Sequence, residues 1–64
     1  MSLLSWARQT SISDADIRVE VWKLGVRHFG APLEGAQMEL DAGDIEPARA
    51  DLLRACIRRL RAAR

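Results

Sequence analysis

Three stretches of the chain repeat their apolar residues at helical spacing, and turn or capping residues separate them. The first runs from about Asp14 to Phe29. Ser13 stands ready to cap its N-terminus, Asp14 and Asp16 put carboxylates in the first turn, and Gly30 supplies a stop. Ile17-Arg18-Val19-Glu20-Val21 also alternates with period two, so a strand competes locally. The bracketing signals favour the helix, because the span between them is ordinary for a helix and long for a strand. The second stretch, Pro32 to Ala42, carries the narrow stripe Leu33, Ala36 and Leu40 and ends at Gly43. The third starts near Ile45, has Pro47 in its first turn and runs to about Ala62. Its Ala48, Leu52, Ala55, Cys56 and Leu60 share one face. Leu3, Leu4 and Trp6 can add a short N-terminal fourth turn. The pattern predicts an all-α fold, a small bundle of three main helices.

The first helix is apolar on two sides. At ~100° per residue, Ile17, Val21, Leu24 and His28 gather on one side, and Val19, Trp22, Val26 and Phe29 nearly opposite. Asp16, Glu20, Lys23 and Arg27 form its polar stripe, with Glu20 placed to pair with Lys23. A helix apolar over most of its circumference is buried on more than one side. Either it threads the centre of a monomer, between the N-terminal segment and the last helix, or a second chain covers part of it. Val19, Trp22, Val26 and Phe29 are the candidate interface, since aromatic side chains concentrate in buried contact surfaces. Gly25 is either a point of close helix approach or a merely tolerated helix glycine.

Size adds weight to the second arrangement. The 64 residues make a single helical domain, or a piece of a larger protein. A chain this short hides only about 60% of the surface its unfolded form exposes. Such scaffolds lean on disulfides, metals or partners. Cys56 is the only cysteine and His28 the only histidine, which excludes an intrachain disulfide and leaves too few ligands for structural zinc. Oligomerisation remains. A lone cysteine also fits a reducing, cytoplasmic setting. No apolar run approaches a membrane span, and residues 1–8 lack the pattern of a secretory signal.

The candidate chemistry is sparse. Arg54, Arg58 and Arg61 follow i, i+4, i+7 spacing and make a basic stripe that can track nucleic-acid phosphates, or simply solvate the outer face of the last helix. Net charge is only +1, and no aromatic residue interleaves these arginines for base stacking. A helix-turn-helix over Pro32 to Leu60 would aim Asp44, Glu46 and Pro47 at the DNA, where carboxylates are repelled by phosphate. In that segment Gly43, Ala48 and Ala55, with Ala36, fall at the turn and small packing positions of a repeat, and the hairpin resembles one tetratricopeptide unit. Pro32 and Glu39 stand at that family's aromatic positions, so the resemblance implies an antiparallel helical hairpin and no more. Cys56 and His28 are the one conceivable nucleophile and base, without a supporting motif. Cys56 reads as a core residue and His28 as a hydrogen-bonded, half-buried one. No cofactor loop, metal cluster or paired-carboxylate site is legible. The sequence points to a non-catalytic protein–protein interaction domain, partnered by itself or by another protein. A nucleic-acid regulator using the arginine stripe is the alternative.

Overall fold

Ser13 opens the first helix as the sequence predicts. Its hydroxyl accepts the Asp16 backbone N–H at 3.1 Å, and the Asp16 carboxylate accepts the Ser13 N–H at 3.2 Å. This reciprocal box satisfies two donors that an open helix end would leave unpaired. In the computed structural model, which describes residues 12–63, the helices are α1 (Asp14–Arg27), α2 (Pro32–Ala42) and α3 (Pro47–Ala62). No strand occurs among the described residues, so the alternation from Ile17 to Val21 resolves as helix. The expected N-terminal turn around Leu3, Leu4 and Trp6 lies outside them.

The end of α1 departs from expectation. The helix stops at Arg27, and Phe29 rather than Gly30 takes the first left-handed position, at φ 56°. The Gly30 N–H then reaches back to the Gly25 carbonyl at 2.7 Å, closing the turn as in a Schellman motif. Gly30 follows at φ 84°. At the end of α2, Gly43 caps at φ 75° in the role the sequence assigns it.

All three helices pack on one another. The core is Leu24 from α1, Leu33 and Ala36 from α2, and Leu53, Cys56 and Ile57 from α3. Ile17, Val21, Leu40, Ile45, Leu52 and Leu60 close its edges. Of the face read in the sequence for α3, Ala55 and Cys56 are buried and Leu52 and Leu60 pack against the core, and only Ala48 departs. Ala48 is exposed, while Ala50, Leu53, Ala55, Cys56 and Ile57 are buried. Leu53, Cys56 and Ile57 sit at i, i+3, i+4, a tighter match to the helical period than a stripe begun at Ala48. With Ala48 in solvent, the small-residue packing implied by the repeat resemblance fails there, although α2 and α3 do pack as a hairpin.

Candidate interaction surface

The polar cluster that orients α1 was not legible in the sequence. Glu20, expected on the solvent stripe beside Lys23, is 5% exposed and turned inward. Arg49 of α3 donates to its Oε2 at 2.6 Å and Arg27 to the same atom at 3.2 Å. The two arginines also hold Glu39 of α2, each at 3.0 Å, and His28 Nε2 lies 2.7 Å from Glu39 Oε2. Three side chains, Arg27, Arg49 and His28, thus share the two carboxylates and tie the three helices to the turn after α1. Hydrogen bonds from Arg49, and then Arg27, hold the Glu20 carboxyl below its ordinary range against the opposing effect of burial. Burial raises Glu39 too, but His28, Arg27 and Arg49 together outweigh it and bring that carboxyl down to about 2. Among the described residues no buried side-chain nitrogen or oxygen is left without a partner.

The close glycine approach is at Gly35, not at Gly25. A Cβ on Gly35 would overlap the His28 ring, whereas one on Gly25 would meet nothing within 4 Å. The missing side chain at Gly35 leaves room for the His28 ring, which reaches Glu39. Gly25, by contrast, borders open space.

With α1 anchored this way, its second apolar side faces solvent. Val19 and Val26 are exposed, Trp22 is 69% exposed and Phe29 is 97% exposed. Neither α2 nor α3 covers the face that the helical period groups together, and Met38 of α2 adds another exposed apolar side chain. Scattered apolar residues on a surface are normal, but Val19, Trp22 and Val26 lie on one face of α1, and Phe29 follows just past its end. Phe29 stands out energetically. A left-handed backbone costs an L-residue roughly 1–2 kcal/mol, and among the described residues the phenyl ring gains no burial in return.

The arginine stripe also sits elsewhere than expected. Arg54, Arg58 and Arg61 do not stand opposite the apolar face of α3. They run along its edge, beside Ile57, and wall an open groove of about 490 Å³ whose other side is Gln37, Leu40 and Asp41 of α2. Arg54 pairs with Asp51 at 3.2 Å, while Arg58 and Arg61 are exposed without an ion-pair partner among the described residues. Arg59 turns the other way and pairs with Asp14 at the start of α1.

Cys56 and His28 hold separate partners. The Cys56 thiol is fully buried and points at the Ile17 carbonyl at 3.9 Å, with burial and then the nearby Glu20 charge raising its pKa. Thiolate attack requires both access and ionisation. A thiol reagent should therefore label the folded chain far more slowly than the urea-unfolded chain. Equal rates would remove Cys56 from the core. No three His, Cys, Asp or Glu side chains among the described residues converge as metal ligands, and none of the helices is long and apolar enough to cross a membrane.

No protein-family model, curated protein or solved structure matches the chain.

Proposed function

We propose that this domain is a non-catalytic protein–protein interaction module that self-associates through the outer face of α1. The observation that carries the reading is Phe29, held at positive φ and 97% exposed beside the exposed Trp22. Strained, solvent-exposed aromatic residues are stabilised when a partner buries them, at roughly 1.5–3 kcal/mol for each large side chain. Val26 lies between Trp22 and Phe29 in the chain, and Val19 is exposed one turn nearer the start of α1. The ion cluster supports the reading from the other side, because it fixes α1 in the rotation that turns this face outward. A symmetric dimer is the commonest closed assembly and needs no second gene product. The buried, unpaired thiol of Cys56 suits a cytoplasmic protein. The reading calls on no cofactor or metal.

Sedimentation and thermal melts over a range of concentrations test it. The parent chain should associate at micromolar concentration, with a melting temperature that rises with concentration. Trp22→Ala should abolish both effects while leaving a folded monomer, because an exposed tryptophan contributes little to the isolated fold. A parent chain that stays monomeric, with a concentration-independent melting temperature, would refute self-association.

The alternative is a nucleic-acid-binding regulator using Arg54, Arg58 and Arg61. The free cations Arg58 and Arg61 favour it, whereas Asp41 across the groove and the Asp51 partner of Arg54 weigh against it. A +1 chain offers little of the long-range attraction on which such binding depends.

A further inference from the structure

We propose a second, separate docking site: the groove between α2 and α3 receives an amphipathic helix from a partner, one with an acidic edge. α1 contributes none of the groove's lining, so this surface does not depend on self-association through α1. Its apolar lining is Leu40 and Ile57. Its α3 wall is a row of three guanidinium groups, and the other wall offers Gln37 and a single carboxylate, Asp41. A chain whose net charge is only +1 thus sets three arginines against two carboxylates, Asp41 and the Asp51 partner of Arg54, along one groove.

The spacing selects the ligand's shape. Arg54, Arg58 and Arg61 span seven residues, about 10 Å along α3 at the usual helical rise. Carboxylates at i, i+4 and i+7 of a second helix repeat the same interval, and the residues between them can present leucine-sized side chains to Leu40 and Ile57. An apolar helix face laid into a groove, with charge along its edge setting orientation, is a known mode of peptide recognition. Arginine suits this edge because its planar fork pairs with carboxylates through two hydrogen bonds. Asp41 fixes polarity across the groove: the ligand's edge toward α2 must be amide or cationic, not acidic. Residues 1–11 of this chain contain no Asp or Glu. Charge complementarity therefore points to a separate partner rather than to that segment.

The test uses a synthetic, fluorescein-labelled helical peptide with glutamates at i, i+4 and i+7 flanking a leucine stripe, added to the full chain. Fluorescence anisotropy should show saturable binding that weakens at least roughly tenfold on moving from low to high salt. The Arg58→Glu/Arg61→Glu variant should lose at least tenfold in affinity while keeping the parent's circular dichroism, since both side chains are exposed. A peptide with glutamines in place of leucines should also bind at least tenfold more weakly. In NMR spectra the shifts should centre on Leu40, Ile57 and Arg58, not on Trp22. Failure of the acidic peptide to bind, equal binding by its lysine counterpart, or shifts confined to α1 would each overturn the proposal. Tighter binding of duplex DNA through the same arginines would overturn it too, in favour of a nucleic-acid site.

Discussion

Shortening Leu53 to alanine should lower the unfolding free energy by about 3–5 kcal/mol, the upper part of the range for buried leucines. Leu53 is fully buried at the centre of α3, within the cluster formed by Leu24, Leu33, Ala36, Cys56 and Ile57. The lost side chain removes both its transfer free energy and the contacts of the atoms that surrounded it. In so small a core few other side chains can shift to refill the space. At ~0.05–0.15 kcal/mol per residue, a chain of this length has roughly 3–10 kcal/mol of stability in all. The substitution should therefore remove between about a third of that stability and all of it. Leu52→Ala, at a half-buried neighbour, should cost distinctly less. Urea titrations at one fixed protein concentration would measure both, and equal losses would contradict the placement of the core around Leu53.

Replacing Arg49 with methionine should cost about 2–4 kcal/mol, because it leaves Glu20 buried with one cation instead of two. The loss stays below the full cost of an unpaired buried charge, since Arg27 remains and the Arg49 side chain is one-third exposed. The paired change Glu20→Leu with Arg49→Met should recover part of it, since removing both charges removes the desolvation problem as well. A loss under about 0.5 kcal/mol would place the contact among ordinary surface ion pairs. Acidity offers an independent reading. Both carboxyls titrate lower in the folded chain than their ordinary value of 4.5, and Glu39 falls to about 2. Their contribution is thus complete above about pH 4.5 and is lost as the pH falls toward 2. The parent's stability should decline across that window, and the Arg49→Met variant should decline less.

The helices themselves were legible because their signals are local. Ser13 with Asp16, Pro32, Gly43 and Pro47 act within one turn of where they stand, and helical periodicity needs only neighbours along the chain. The two-sided pattern of α1 was legible for the same reason, and Val19, Trp22, Val26 and Phe29 are each exposed. Which side would be covered was not local information. Glu20 looks like a surface residue paired with Lys23 until Arg49 arrives from 29 positions away. His28 meets Glu39 only because Gly35 leaves room for its ring. The edge position of Arg54, Arg58 and Arg61 likewise depends on the rotation of α3 against α2, set by Leu53, Cys56 and Ile57 rather than by a stripe from Ala48. The sequence determined three helices, their starts and the excess of apolar surface on α1. Tertiary packing decided which carboxylates were buried, which glycine was crowded and which aromatic residues stayed in water, because each depends on atoms that only folding brings within a few ångströms.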